Sequence, residues 1–244
     1  SADASLSASA EAEAGAGVRY NNKTSSTTDG TSTVVGNSFK SGGNFSRTAK
    51  DTIVDQATEV DAVGNIDQSA RVIRDEAVHD ETYSTSNTSE DDARIGVYAG
   101  AKVDAGADGG STSGGSADAG AEASAGVQAQ YKNDYGSSSS ETKTAVTSKF
   151  KSGGNINSTS EESTTLVGTQ FESAGDVNIE AGSLDYQAAQ DSTSSSSSSS
   201  EVSVDGKVAI YGSTGAKLDV EYGGDESSQS TSTARAGSIS AGGN

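Results

Sequence analysis

The chain of 244 residues contains no Pro, Cys, Met or Trp and carries a formal net charge of −19 at pH 7. This charge argues against nucleic acid as a partner, because phosphates are bound by clustered Lys and Arg, and against electrostatic docking on anionic membranes. The absence of Cys excludes disulfide bonds and thiolate chemistry. Leu, Ile, Val and Phe together number only 34, so a conventional globular core is not expected. A disordered spacer is the first alternative, and a random-coil circular dichroism spectrum would support it.

The chain begins with a strict alternation of apolar and polar residues. Apolar residues occupy the even positions from Ala2 to Tyr20, with Ser, Asp, Glu, Gly or Arg mainly between them. In a helix these positions would be scattered around all faces, whereas a period of two places them on one face of a strand. The first predicted element is therefore a long strand whose apolar face consists mainly of Ala.

The same alternation occurs twice in the middle of the chain. It covers residues 93–107 and 117–131, and the stretch from Asp108 to Ser116 between them is rich in Gly and Ser. Gly and Ser favour a reversal of the chain. The sequence therefore predicts a long antiparallel β-hairpin over residues 93–131, with an Ala-lined face suited to close packing.

Short segments punctuated by Gly form a second pattern. Residues 150–157, Phe-Lys-Ser-Gly-Gly-Asn-Ile-Asn, are followed 21 residues later by the similar residues 171–179. A period near 20 residues is typical of a parallel β-helix, whose coils pair roughly 4.8 Å apart, and we expect the turn glycines to supply a positive φ angle. The predicted fold is all-β, with coils of a parallel β-helix (β-solenoid) and long Ala-rich antiparallel β-hairpins in two tandem units.

The predicted turn residues are structural candidates. They are Gly42, Gly43, Asn44, Gly64, Asn65, Gly153, Gly154, Asn155, Gly175, Asp176, Gly242, Gly243 and Asn244. We hypothesise that Asn44, Asn155 and their equivalents stack into a side-chain ladder along the coils. Replacing Asn155 with Leu is then expected to lower the melting temperature, and an unchanged melting temperature would contradict the ladder.

Two copies of one unit make up the chain. Phe39-Lys-Ser-Gly-Gly-Asn44 recurs 111 residues later from Phe150 to Asn155, a spacing that low complexity alone would not preserve. The predicted units are residues 1–115 and 116–233, and residues 234–244 begin a further repeat. Because the chain shows no signal peptide and does not begin with Met, we expect it to be a segment of a longer protein.

No residue pattern points to catalysis, to cofactor binding or to a metal site. His79 is the only histidine, and the second copy has glutamines in that neighbourhood, so a hydrolase or a zinc site is not expected. The acidic residues Asp104, Asp108 and Asp118 lie near Gly but lack the nonapeptide rhythm of calcium-binding β-rolls. The Ser run of residues 194–200 is predicted to be a solvated loop. An enzyme is therefore the least favoured class.

Residues 167–182, Val-Gly-Thr-Gln-Phe-Glu-Ser-Ala-Gly-Asp-Val-Asn-Ile-Glu-Ala-Gly, precede Leu-Asp-Tyr-Gln-Ala-Ala-Gln-Asp at 184–191 and the Ser run. This succession resembles the haemagglutinin repeats of filamentous haemagglutinins and of contact-dependent growth inhibition exoproteins. The resemblance is closest over residues 149–200 and 234–244 and is degraded over residues 37–84. It implies a repeat segment of a secreted or cell-surface exoprotein of a Gram-negative bacterium, exported by two-partner secretion.

The resemblance leaves three non-enzymatic functions open. The first is delivery of a C-terminal toxin across the outer membrane of a target cell, with hairpins joined edge to edge into a closed sheet. The others are an adhesin that binds host or neighbouring cells and a passive stalk or spacer. The expected partners are the target-cell surface or outer membrane, the rest of the parent exoprotein and an outer-membrane secretion partner. Self-association through unpaired strand edges is a further alternative, which the negative charge opposes.

Overall fold

The structure, a computed structural model, describes residues 4–109, 116–212 and 215–243. Throughout these residues the regular secondary structure is β-strand, so the predicted all-β class is confirmed. The strands in chain order are β1 (Ala4–Ser32), β2 (Asn37–Ser41), β3 (Phe45–Thr48), β4 (Thr52–Gln56), β5 (Thr58–Ala62), β6 (Ile66–Glu76), β7 (Val78–Gly109), β8 (Ser116–Val146), β9 (Lys149–Ser152), β10 (Ile156–Val167), β11 (Gln170–Ser173), β12 (Val177–Gln187), β13 (Ala189–Tyr211), β14 (Gly215–Arg235) and β15 (Ser238–Ala241).

These strands form three five-stranded sheets, which we name A, B and C. The long strands form sheet A in the order β1, β7, β8, β13, β14. Sheet B has the order β15, β11, β9, β5, β2, and sheet C has the order β12, β10, β6, β3, with β4 also paired to β6. The chain therefore passes back and forth between sheets B and C and leaves them twice for the long strands of sheet A.

Sheets B and C are parallel, and their register aligns the apolar positions of neighbouring short strands. In sheet B, Phe150 of β9 pairs with Val60 of β5 on one side and with Phe171 of β11 on the other. In sheet C, Ile156 of β10 pairs with Ile66 of β6. Apolar residues are thus stacked on neighbouring strands, so a chain with few large apolar residues still forms a core in these two sheets.

The core consists of the inward-facing side chains of sheets B and C. Its largest fully buried apolar side chains are Phe150, Phe171, Ile66, Ile73, Ile156, Leu166 and Val60. The rings of Phe150 and Phe171 are stacked, with centroids 5.3 Å apart. Buried and exposed residues alternate along β4 and β5, as a period of two requires.

Strands β7 and β8 are antiparallel neighbours and form the predicted hairpin, which extends beyond residues 93–131 in both directions. Gly100 of β7 lies beside Ser124 of β8, whereas Thr88 lies beside Gly136. The residue number of the partner therefore falls as the number along β7 rises. The Gly- and Ser-rich reversal predicted between the two strands lies largely outside the described residues.

The chain divides into two compact units. Unit 1 comprises Ser1–Thr27, Ser86–Ser138 and Ser197–Ser227, and its strands all belong to sheet A. Unit 2 comprises Thr28–Thr85, Ser139–Ser196 and Ser228–Asn244 and contains sheets B and C. Both clusters of buried apolar residues belong to unit 2, whereas nearly every described residue of unit 1 is exposed or half-buried. The described part of unit 1 is thus a sheet without a hydrophobic core of its own.

The Ser run of residues 194–200 lies within β13, so the prediction of a loop is wrong. Its hydroxyl groups pair with those of the neighbouring strand β8. Ser196 Oγ is 2.8 Å from Ser139 Oγ, and Ser198 Oγ is 2.8 Å from Ser137 Oγ. Composition did not reveal this pairing because the partner serines are 57 and 61 residues away along the chain.

Candidate functional site

His79, the histidine considered for catalysis or metal binding, contacts a neighbouring strand. His79 lies in β7, and its Nε2 atom is 2.9 Å from the backbone oxygen of Gln190 in β13. Among the side chains that the structure describes, no three of His, Cys, Asp or Glu are grouped so as to hold a metal ion. The residues that the structure describes form no helix that is long and apolar enough to cross a membrane.

Two aspartates of sheet A accept backbone hydrogen bonds at equivalent positions of the repeat, one from the segment between β1 and β2 and one from β8. Asp80 Oδ1 accepts a hydrogen bond of 2.7 Å from the backbone N–H of Val34, and Asp191 Oδ1 accepts one of 2.7 Å from that of Ala145. The Arg235 guanidinium and this backbone donor hold the pKa of Asp191 below its ordinary value. Sequence reasoning did not assign this role, although the spacing of 111 residues between the two aspartates was a visible signal.

The structure places the predicted turn residues between strands of sheets B and C. Gly42, Gly43 and Asn44 lie between β2 and β3, Gly64 and Asn65 between β5 and β6, Gly153 to Asn155 between β9 and β10, Gly175 and Asp176 between β11 and β12, and Gly242 and Gly243 directly after β15. The last predicted member, Asn244, lies outside the described residues.

The Asx side chains of these turns bond from one turn to the next. Asn44 Oδ1 accepts a hydrogen bond from the backbone N–H of Asn65, Asn65 Oδ1 accepts one from Asn155, and Asn155 Oδ1 accepts one from Asp176. Each of these distances is 2.9 Å. A side-chain amide therefore satisfies a backbone donor that the strand ladders leave unpaired at the turn.

The backbone angles and the packing of the turn glycines differ from the prediction. Among the described residues, positive φ angles occur at Ala57, Gly168 and Gly212 and not at the turns, so the expected positive φ is wrong. A Cβ atom on Gly154 would instead lie 2.1 Å from Asn65 Oδ1. Glycine is required there because the stacked amide of the preceding turn occupies the space of a side chain.

One face of sheet A in unit 1 is polar. Lys207 Nζ of β13 is 3.4 Å from the Glu13 carboxylate of β1 and 5.2 Å from the ring centre of Tyr98 in β7. Gly126 of β8 lies on the same side, directly beside the Tyr98 ring. Because successive side chains of a strand point to opposite faces, the residues that flank these four point to the other face.

That other face of unit 1, which we name the apolar face, carries apolar side chains on all five strands. Its larger members are Val18, Tyr20, Ile95, Val97, Val103, Val127, Tyr131, Val202, Val204, Val208, Ile210, Leu218, Val220 and Tyr222, with Ala at most positions between them. Ile95 is 65% exposed and Leu218 is 70% exposed. Within the described part of the chain nothing covers this face, so it is a continuous hydrophobic surface open to a partner.

Tyrosines mark one end of the apolar face. The strand register places Tyr20 of β1 and Tyr131 of β8 on either side of Ala93 in β7, and Tyr222 lies on the outer strand β14. The Tyr131 hydroxyl donates a hydrogen bond of 3.1 Å to Asp91 Oδ1. Beyond these tyrosines the strands carry mainly Ser, Thr, Asn, Asp and Glu. The apolar face therefore ends at tyrosine side chains, which are apolar in the ring and polar at the hydroxyl, and a polar region follows along the strands.

No curated protein matches the chain. The model of the family described as Hemagglutinin repeat matches it twice, over residues 14–135 and 129–244. Each match contains strands of sheets A, B and C. Because the two matches together cover nearly the whole sequence, the chain belongs to the hemagglutinin repeat family, a structural and adhesin-type family of secreted and cell-surface exoproteins of Gram-negative bacteria.

Proposed function

We propose that this chain is a segment of an exoprotein that delivers a toxin into target bacteria, and that the apolar face of sheet A contacts the lipid of the target outer membrane. The observation that carries the proposal is the exposure of Val, Ile, Leu and Tyr side chains across five neighbouring strands. Monomeric soluble proteins rarely expose contiguous apolar patches larger than a few hundred Å². Transfer of such a surface from water to lipid is favourable by about 25 cal/mol per Å².

The dimensions of the apolar face suit a bilayer. On β8 it runs from Ala119 to Tyr131, a length of about 40 Å at the usual rise of a strand. A tilted strand of this length crosses a hydrocarbon layer of about 30 Å. The tyrosines at its end suit the boundary between lipid and water, where an aromatic ring meets the apolar layer and its hydroxyl meets water.

The remaining surfaces of sheet A need other neighbours in a membrane. The polar face, with Glu13, Tyr98 and Lys207, would line water, and lipid cannot satisfy the unpaired backbone groups of an edge strand. Strands β1 and β14 are the edges of sheet A in the described structure. We expect them to pair with strands of the rest of the parent exoprotein or of another copy.

Sheets B and C fit a supporting role. We interpret their parallel strands, linked by turns with stacked Asn and Asp side chains, as coils of a parallel β-helix. Such a stack forms a stiff element without a large core. The export of the exoprotein by two-partner secretion belongs to the same proposal. An adhesin surface and a passive spacer are the competing outcomes of the experiments.

A vesicle-binding experiment on a pair of neighbouring residues tests the lipid contact. Val127 of β8 belongs to the apolar face and Gln128 to the opposite face. A lysine on the lipid-facing side of a strand costs about 2–4 kcal/mol at the bilayer midplane. We therefore expect Val127→Lys to weaken binding to zwitterionic phosphatidylcholine vesicles by about 30-fold or more in a co-flotation assay, and Gln128→Lys to bind like the unchanged chain.

Zwitterionic vesicles are chosen because they remove the attraction between lysine and anionic lipid, so both variants report apolar contact. If the unchanged chain does not float with the vesicles, or if both variants lose binding equally, the apolar face is not the lipid-contacting surface. In that case the adhesin or spacer function is favoured.

A further inference from the structure

Two carboxylates are stacked in the interior of unit 2. Asp55 of β4 and Asp75 of β6 pair directly in the parallel register of sheet C. Asp55 is 3% exposed and Asp75 is fully buried. On the other side of β6, Asp75 pairs in the parallel register with Leu166 of β10. Both aspartates occupy positions at which alternation directs the side chain inward.

One cation accompanies the two carboxylates. The Arg47 guanidinium of β3 donates hydrogen bonds to both oxygens of Asp55, and its Nε atom donates one to Gln68 Oε1 at 3.2 Å. With both carboxylates ionised, neither oxygen of Asp75 forms a hydrogen bond within the described residues, and the buried Thr169 hydroxyl lies near Asp75 without forming one. The charges of Asp55, Asp75 and Arg47 add up to −1 if both carboxylates are ionised.

An isolated buried carboxylate is strongly unfavourable, whereas a carboxylic acid is neutral and gains an O–H donor. We propose that Asp55 and Asp75 share one proton in the folded protein, and that the loss of this proton loosens β4 from β6 as the pH rises. A single proton makes the cluster of Asp55, Asp75 and Arg47 neutral. A divalent cation would leave a charge of +1 beside the guanidinium of Arg47, so the charge balance favours the proton.

The direction of the pH dependence follows from the surroundings of Asp75. Its burial and the nearby Asp55 carboxylate raise the pKa of Asp75 well above its ordinary value, while Arg47 and Thr169 oppose this less strongly. The unfolded chain releases the proton near the ordinary Asp pKa of about 3.9, but the folded protein retains it to higher pH. The stabilisation is therefore complete below the unfolded pKa and is lost as the pH rises through the folded pKa.

The loosening is expected to be local. Strand β4 pairs with β6 alone among the described strands, whereas β6 also pairs with β10 and β3. Repulsion between Asp55 and Asp75 therefore acts on a strand held along one edge. The proposed proton sharing between Asp55 and Asp75 does not depend on the proposed toxin delivery.

Thermal unfolding of the 244-residue chain between pH 5 and pH 8 tests the shared proton. We expect the melting temperature of the unchanged chain to fall by at least about 4 °C more over this range than that of Asp75→Asn, which has no second charge to repel. Asp61→Asn is the control, because this β5 carboxylate lies on the outward-facing side of its strand, and it should keep the pH profile of the unchanged chain. Parallel profiles for all three proteins would overturn the proposal.

A second variant and a second measurement distinguish the loss of the shared proton from an unrelated folding defect. Asp55→Asn leaves one carboxylate for Arg47 and should flatten the profile as Asp75→Asn does. At pH 8, hydrogen exchange of the β4 amides should be faster in the unchanged chain than in Asp75→Asn, with equal exchange in β9. If millimolar Na⁺ or Ca²⁺ restores the pH 5 stability at pH 8, a metal ion balances the charge of −1 in the cluster of Asp55, Asp75 and Arg47. The proposal of a shared proton is then wrong.

Discussion

Replacement of Phe150 with Ala is expected to lower the free energy of unfolding by about 3–5 kcal/mol, since a large buried aromatic side chain leaves a cavity that the surroundings fill only partly. Phe150 is fully buried, stacks on Phe171 and lies 5.5 Å from the Arg47 guanidinium. Its strand β9 lies in the middle of sheet B, so the cavity would be enclosed. Urea unfolding followed by circular dichroism measures this loss.

The repeat provides a matched control for this substitution. Phe39 occupies the equivalent position of the first copy, in the edge strand β2, and its side chain is 44% exposed. Phe39→Ala is therefore expected to cost less than half as much as Phe150→Ala. Equal losses for the two variants would contradict the core described for sheets B and C.

The second large effect is expected at a turn. A Cβ atom on Gly154 would lie 2.1 Å from Asn65 Oδ1, so Gly154→Ala forces either the stacked amide or the turn to move. Because such overpacking typically costs about 1–3 kcal/mol, we expect a loss of that size and a weaker hydrogen bond from the Asn155 N–H to Asn65 Oδ1. Thermal unfolding measures the loss.

Gly43 is the control, because it has the same position in the first turn but a Cβ atom added there would meet no other atom within 4 Å. Its φ angle is not positive either, so Gly43→Ala removes conformational freedom from the unfolded chain without a clash. We expect it to be neutral or to stabilise by up to about 1 kcal/mol. A stabilising effect at both positions would contradict the close packing of successive turns.

Local patterns predicted the elements that depend on residues near in sequence. The alternation from Ala2 to Tyr20 and over residues 93–131 predicted long strands with an Ala-lined face, because a period of two is visible in the sequence itself. The recurrence of Gly-Gly-Asn likewise predicted turns at intervals. The apolar residues at every second position of each strand also indicated that one apolar face could extend across five strands.

Features that depend on pairing between distant strands could not be predicted. Asp55 and Asp75 are unremarkable acidic residues until the register of β4 and β6 stacks them in the interior. The turn glycines were predicted to supply a positive φ angle, whereas the reason for glycine at Gly154 is the amide of a residue 89 positions earlier. Such contacts are set by how the strands are aligned, which a single sequence does not specify.

The apolar face is the part of the molecule that most needs a partner. Unit 2 buries Phe150, Phe171, Ile66 and Leu166 between parallel sheets, whereas unit 1 leaves Ile95, Ile210 and Leu218 in water. The net charge of −19 opposes self-association by repulsion but does not remove the cost of that exposure. Contact with the lipid of a target membrane, as proposed, would remove it.

The most direct test of this account is made in the full parent exoprotein on producing cells. Val127→Lys and Gln128→Lys are compared with the unchanged protein, and surface display, attachment to target cells and intoxication of those cells are scored separately. The account predicts that Val127→Lys keeps display and attachment but loses intoxication by at least about 10-fold, while Gln128→Lys retains all three. Unchanged intoxication with Val127→Lys would contradict it, and a loss of attachment with display intact would identify the apolar face as an adhesin surface instead.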